Sequence, residues 1–597
     1  MAGRPVEADR THREGGDPRA RNPLQRDPGR QLRRRGGLPL QLHRRARSGA
    51  LQVPVDGRQP RELRSLHRPG PRRALPASES RHRPGGAAPV HQGIRETAAR
   101  RGGALHLYLP VASDRPAQRA GARLDDHPEP LPQQPARHRL AGGVTLRLIP
   151  DLVLTEGGWT SGRVVTLEGG RIASIECVDR PSSGDVTLAG KALVPGTVNA
   201  HCHTFQSLLR GLGDDLDFSG WRDRVLYPFS ERLDRRGIAL GASFAFAEML
   251  LGGATTCVDF FYLQDEGNEN AEAVIEAARA VGIRLVLARA MYDWQGAPKR
   301  YRETVADAAR RTRELIAAHR EDQTTLVQPA PHSPHGASPE MIRAGSEIAE
   351  TEATRFHIHV AEGRAEGERT LREHGATPIR YLDGLGVLGP RMIGVHCVWL
   401  DDEEIGLMGA RRAALAYCPS SNMFLGDGIT RVPELLKAGV RIGLGTDGGC
   451  TNNRLSVFEE MRMTALLQRV RLLDGAAIDA VTAFGLGTRS GAEVLGLEAG
   501  VIAPGRLADL IAVDLDDVSL HPRIDLLKSM VYAMSSRAVT DVWVHGRRVV
   551  ESGRLVTVDE RELLAQVREL TQGWCAPQAV VGLGPRRPRR DDQPWSI

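Results

Sequence analysis

The chain lacks any run of about eighteen consecutive apolar residues, so no ordinary membrane-spanning helix is expected. It also lacks an apolar stretch behind Arg33-Arg34-Arg35, where Gly36-Gly37 and polar residues follow. Neither a secretory nor a twin-arginine export signal is therefore expected. Cys-x-x-Cys pairs are missing. The seven cysteines, Cys177, Cys202, Cys257, Cys397, Cys418, Cys450 and Cys575, are scattered, several inside strand-like runs. They read as buried thiols and not as bridges. A cytoplasmic location is the resulting expectation.

The first quarter is poorer still. Residues 1–143 contain 29 Arg, no Lys, 13 acidic residues and one aromatic, Tyr108. The formal charge of +7 over 597 residues thus divides into +16 for this leader and −9 for the remainder. With no helical or strand period, the leader cannot bury enough apolar surface to offset chain entropy. It reads either as a disordered basic arm for nucleic acid or membranes, or as a GC-rich stretch translated in the wrong frame. The Arg/Pro/Gly bias without lysine favours the second reading, with an authentic start near Val144.

From residue 144 a different chain begins. Leu146–Leu154, Arg163–Leu167 and Arg171–Ile175 are strand-like, with turns at Gly162 and Glu168-Gly169-Gly170. Leu510–Val513, Val542–Val544 and Arg547–Val550 form a matching set near the end, the last two joined by His545-Gly546. Together they predict a small composite β-sandwich built from residues 144–195 and 491–557. Between them apolar strands (Thr255–Phe261, Arg284–Ala290, Thr325–Ala330) alternate with helical spacing (Ala271–Val281, Ala306–Ala318, Pro339–Thr351, Val457–Gln468). This alternation predicts an α/β fold, a (β/α)8 TIM-like barrel over residues 196–490. A C-terminal helix and a loose Arg-Pro tail are expected over 558–597.

The chemistry lies where apolar runs end. Val194–His203 reads as a buried strand delivering His201 and His203; residues two apart on a strand share a face. Phe356-His357-Ile358-His359-Val360-Ala361-Glu362, Ile393-Gly394-Val395-His396 and Ile442-Gly443-Leu444-Gly445-Thr446-Asp447 repeat the pattern. One His pair arises easily by chance. Four strands each presenting an ionisable group at the C-terminal end, where barrel enzymes keep their catalytic groups, do not.

These segments resemble the metal and catalytic strands of the amidohydrolase superfamily, in its deaminase and chlorohydrolase branch. Gln206, Arg210-Gly211, Ala330-Pro331-His332-Ser333-Pro334 and Cys418-Pro419-Ser420-Ser421-Asn422 fit the same pattern, and the resemblance spans roughly residues 144 to 570. It implies His201, His203, His359 and Asp447 as ligands of one divalent ion, with zinc first and iron or manganese open. Such an ion lowers the pKa of water to roughly 7. Glu362 is then the proton shuttle, His396 orients the attacking oxygen, and Asp447 both touches the ion and hydrogen-bonds the nucleophile. Binuclear members carry a carboxylated lysine on the fourth barrel strand. No lysine lies between Lys299 and Lys437, so a mononuclear site is expected. The Pro-Cys-x-x-Cys signature of the other zinc deaminase class is also missing.

Hydrolytic deamination of an aminated N-heterocycle is the expected activity. His332, Trp221, Tyr292 and Trp294 are candidate substrate contacts, although Trp221 equally suits plain core. Nucleoside-deaminating relatives carry an acidic residue shortly before this tryptophan; Phe218-Ser219-Gly220-Trp221 does not. Trp221-Arg222 and Leu425-Gly426-Asp427-Gly428-Ile429 instead resemble formiminoglutamate deiminase, with Arg222 or Arg289 as an anion clamp. That makes a formimino-amino-acid deiminase the alternative, a triazine-type chlorohydrolase the third, and nucleic-acid binding through the leader the non-enzymatic rival. His357 reads as a core histidine and Asp259 as a supporting group. A small-molecule substrate is the expected partner, nucleic acid is not, and a homo-oligomer remains open.

Overall fold

Strands that read as unbroken apolar runs become the centre of the molecule because both of their faces are covered. A computed structural model describes residues 145–178 and 181–575; the Arg-rich leader and the tail at 585–592 lie outside the described residues. Eight parallel strands alternate with helices. Four pair in one sheet: β1 (Thr197–Cys202), β2 (Ala254–Phe261), β3 (Arg284–Met291) and β4 (Thr325–Pro331). Four pair in a second: β5 (Phe356–Val360), β6 (Met392–His396), β7 (Ala414–Tyr417) and β8 (Arg441–Leu444). The β2 and β3 strands are buried at every position, as expected where helices cover a parallel sheet. The α/β alternation is that of a TIM-barrel fold. Backbone bonds also span the sheets beyond the paired registers: His359 N–H donates to the His332 carbonyl and Asp447 N–H to the His201 carbonyl, both at 3.0 Å.

The expected helices form at their sequence signals. Ser338 caps Pro339–Thr351 by accepting from Met341 N–H, with proline in the first turn, where its missing N–H costs nothing. Glu269–Val281 ends at Gly282, whose φ of 93° is the left-handed stop that glycine tolerates best. Among the described residues no helix is long and apolar enough to cross a membrane.

The opening and closing strands meet in one nine-stranded sheet. Along its path run Arg554–Leu555, Arg547–Glu551, Val539–Val544, Leu510–Asp514, Val186–Pro195, Leu146–Thr155, Arg163–Glu168 and Arg171–Cys177, with Gly158–Thr160 paired to Leu146–Thr155. The continuity comes from Val186–Pro195. It lies parallel to Leu146–Thr155 on one edge and antiparallel to Leu510–Asp514 on the other. The Val194–His203 run is therefore two strands. Val194 and Pro195 end the sheet strand, Gly196 turns the chain, and Thr197 begins β1. A Cβ at Gly196 would lie 2.2 Å from the Thr255 hydroxyl oxygen, so the joint needs glycine. At the same junction Arg284 of β3 pairs with Asp509, Nε to Oδ2 at 2.6 Å and Nη2 to Oδ1 at 3.1 Å, both side chains buried.

Candidate active site

The strand ends bring His201, His203, His332, His359, Glu362, His396 and Asp447 together. His201 leaves β1 inside the sheet, and His203 follows one residue after its end. His396 is the last residue of β6, and Glu362 and Asp447 lie just beyond β5 and β8. His201 Nε2 is 3.3 Å and His203 Nε2 3.4 Å from Asp447 Oδ1. Two overlapping groups, His201 with His203 and Asp447, and His201 with His359 and His396, keep their ligand atoms within 4.8 Å of one another.

Hydrogen bonds sort these imidazoles by tautomer. His203 Nδ1 lies 2.6 Å from the Phe260 carbonyl, and His359 Nδ1 3.0 Å from the His332 carbonyl. A carbonyl only accepts, so each Nδ1 carries the proton and each Nε2 keeps a free lone pair, the arrangement that prepares a histidine for metal. His396 is the reverse. Asn422 Nδ2 lies 3.1 Å from His396 Nδ1 and 3.5 Å from Asp427 Oδ2, so the amide donates and His396 holds its proton on Nε2. That Nε2 is 3.5 Å from Glu362 Oε1. Among the described residues His201 has no hydrogen-bond partner at either ring nitrogen, although it is fully buried. An unpaired buried polar group costs about 1–3 kcal/mol. A cation held by lone pairs accounts for an imidazole left this way, and three imidazoles with one carboxylate suit zinc.

Burial sets the charge states. It lowers His201 to about 4 and depresses His203, His359, His332 and His396 as well. Neutral imidazoles are the ligating form. Burial alone would raise Asp447, but the close approach of His201 and the charges of the neighbouring histidines hold it well below the carboxylate range. Glu362 moves the other way: burial, then the charges of Asp427, Asp447 and Glu366, push it well above its usual value. Two carboxylates in one cavity thus have opposite proton affinities.

The backbone is bent to achieve this. Ala361, His396, Cys397 and Asp447 take positive φ of 53°, 71°, 47° and 58°, where non-glycine residues each cost of order 1–3 kcal/mol. At Gly445 a Cβ would come within 2.8 Å of the His201 Cβ.

Several side chains hold the site from behind. Asp259 on β2 accepts from Thr204 N–H at 3.0 Å and its hydroxyl at 2.6 Å, fixing the turn after His203. Ser421 donates to Asp447 Oδ2 at 2.5 Å. His357 lies deeper, 2.7 Å from Gln328 Oε1, in the core as expected. Ser421, Asn422 and Glu366 carried no role in the sequence reading; the Pro419-Ser420-Ser421-Asn422 run after β7 was the available signal.

Trp221, Arg222, Tyr292, Trp294 and His332 line the cavity in front of these groups, with Phe218, Tyr227, Tyr262, His335, Arg369 and Leu425. Trp221 is also mostly buried, its Nε1–H pointing at Cys450 Sγ at 3.2 Å. Arg222 is held by Asp223 through two bonds of 2.7 and 3.0 Å. Arg289 corrects the expectation of an anion clamp. It is fully buried, bonded to both oxygens of Glu303 at 2.9 Å and to Asn268 at 2.8 Å, and does not line the cavity. Its charge is spent inside the helix layer.

Residues 192–549 match the model of a family described as the amidohydrolase family. The chain is 35% identical over 433 residues to a 5′-deoxyadenosine deaminase of Methanothermobacter thermautotrophicus, covering 70% of this chain and 97% of that relative. It is 34% identical over 440 residues to a 5-methylthioadenosine/S-adenosylhomocysteine deaminase of Syntrophobacter fumaroxidans, covering 72% and 97%. A crystal structure of an adenosine deaminase from Xanthomonas campestris with bound zinc superposes with a TM-score of 0.67 at 28% identity, covering 71% of this chain and 97% of that one.

Proposed function

The chain belongs to the amidohydrolase family, and from that premise we propose that it is a mononuclear metal-dependent aminohydrolase that removes ammonia from an aminated N-heterocycle. The observation that carries this reading is the opposed pair: a carboxylate beside imidazole nitrogens at Asp447, and the buried carboxyl of Glu362, its proton affinity raised by burial, facing the same cavity. His201, His203, His359 and Asp447 would hold one divalent ion, zinc by their chemistry. When bound, that ion supplies a Lewis acid and makes water acidic enough to ionise near neutrality.

The remaining steps belong to the chain's own groups. Glu362 takes the proton of the attacking water and passes it to the ring nitrogen beside the amino-bearing carbon. The Nε2–H of His396 donates to the oxygen adding at that carbon. The remaining proton of the added hydroxyl, carried by Glu362 to the amino nitrogen, lets that nitrogen leave as ammonia, and the carbon keeps the oxygen as a carbonyl. Such proton transfer is typically worth about 10²–10⁴ in rate. The aromatic walls suit a flat ring. Arg222 at the wall favours the second reading, an acyclic formimino acid, over a chlorinated triazine. We also read the bonds from His359 to His332 and from Asp447 to His201 as closing the strands into one eight-stranded barrel, with the sheet from both chain ends as its companion domain.

Ammonia release from 5′-deoxyadenosine, methylthioadenosine, guanine, pterins, cytosine, triazines and formiminoglutamate, measured with the zinc-loaded full chain, tests the proposal. Release from at least one amino-heterocycle is expected. No release from any heterocycle overturns the reading.

A further inference from the structure

Glu362 sits on a loop with no regular secondary structure, yet its backbone is held on both sides. We propose that Glu366 is a positioning residue for Glu362, gripping the backbone that carries it. This rests on the reading of Glu362 as the proton carrier. Glu366 stands in the first turn of the helix Arg364–His374 and points back past the start of that helix. Its Oε2 accepts from Glu362 N–H at 2.9 Å and its Oε1 from Ala361 N–H at 3.2 Å. Its side chain is 7% exposed, with His335 Nδ1 3.9 Å from Oε1.

The grip secures a conformation that the loop does not favour by itself. Ala361 has φ of 53°, a left-handed geometry that is strained for a non-glycine residue. Its carbonyl accepts from Val398 N–H at 2.9 Å and Trp399 N–H at 3.0 Å. Ala361 is thus clamped through its carbonyl to the β6 end and through its N–H to Glu366. Between these anchors the chain direction at Glu362 is fixed, and its carboxyl is aimed at His396 Nε2.

A glutamate at this helical position commonly just caps the helix by bonding the N-cap N–H. Here the two bonds fall one and two residues before the cap residue Gly363, onto the catalytic loop itself. A control exists in the same molecule. Glu404 in the helix Asp402–Ala410 bonds Asp401 N–H at 3.2 Å in an ordinary capping box, on a helix that carries no cavity residue.

Glu366→Gln and Glu404→Gln separate the two roles. Turnover is measured with whichever compound of the ammonia panel gives the largest kcat/KM, alongside zinc content, melting temperature and hydrogen exchange of the segment 358–363. For Glu366→Gln a kcat loss of about tenfold or more is expected, with KM within about twofold and zinc content unchanged, and exchange at residues 361 and 362 accelerated about tenfold. Glu404→Gln lowers the melting temperature without changing kcat. If Glu366→Gln does not fold, Glu366→Asp, which keeps the charge but shortens the reach, is judged by the same criteria. Unchanged kcat and exchange, an equal kcat loss in Glu404→Gln, or failure of both Glu366 variants to fold each overturns the assignment. If Glu362→Gln itself keeps full turnover, the proton-carrier reading fails instead.

Discussion

The junction between barrel and sheet and the mouth of the barrel are equally buried, but they treat polar groups in opposite ways. At the junction charge is matched. Arg284 and Asp509 share two hydrogen bonds, and Asp509 also accepts His545 N–H at 2.7 Å. At the mouth the ring nitrogens of His201 have no hydrogen-bond partner among the described residues, carboxyls sit near one another, and four non-glycine residues stand in left-handed backbone. One region has been built for stability; the other holds unsatisfied groups ready for a ligand and a substrate.

Breaking either side should leave the other intact. The largest effect is expected from removing the ligand set: His201→Ala, or chelation of the wild type, should abolish ammonia release. Added zinc should restore only the chelated wild type, as read by activity and bound-metal analysis. Next, Glu362→Gln should lower kcat by about 10²–10⁴ while zinc content and melting temperature stay the same. At the junction the reverse is expected. Asp509→Asn leaves Arg284 buried without its charge partner and should cost about 3–5 kcal/mol of stability by denaturant titration, with kcat of the folded enzyme unaltered.

Burial raises Glu460 to about 7 even though Ser420 N–H and Asn452 Nδ2 donate to it. A carboxyl raised above its unfolded value of about 4.5 binds more protons when folded, so its contribution is complete below about 4.5 and lost as pH rises through about 7. The melting temperature of wild type relative to Glu460→Gln should therefore fall between pH 5 and 8; a flat difference would contradict this. The smallest effect should come from Arg289→Lys, which should lower the melting temperature but leave KM unchanged, as befits an arginine paired to Glu303 away from the cavity.

How much of this was legible beforehand follows from how local each signal is. His201 and His203 are two apart at a strand end, and His359, His396 and Asp447 close apolar runs. Their placement follows from strand alternation and barrel geometry. Ser421 and Asn422 act on Asp447 and His396 from another strand's end, and nothing in a run of small polar residues states which neighbour they will meet. Arg289 misled for a definite reason. The β3 strand is buried on both faces, so alternation cannot tell the barrel side from the helix side, and the arginine went to Glu303. The strand Val186–Pro195 was hidden by Gly190 at φ of 71° in its middle, and with it the continuity of the sheet.

That same strand imposes an order on synthesis. Val186–Pro195 leaves the ribosome early, but the partner for one of its edges, Leu510–Asp514, is made only after every barrel strand. Until then a row of unpaired amides and carbonyls, flanked by apolar side chains, stands open, the kind of edge that recruits strands from other chains. A nascent or truncated polypeptide ending inside the barrel should therefore self-associate through this edge, and only the finished chain closes it.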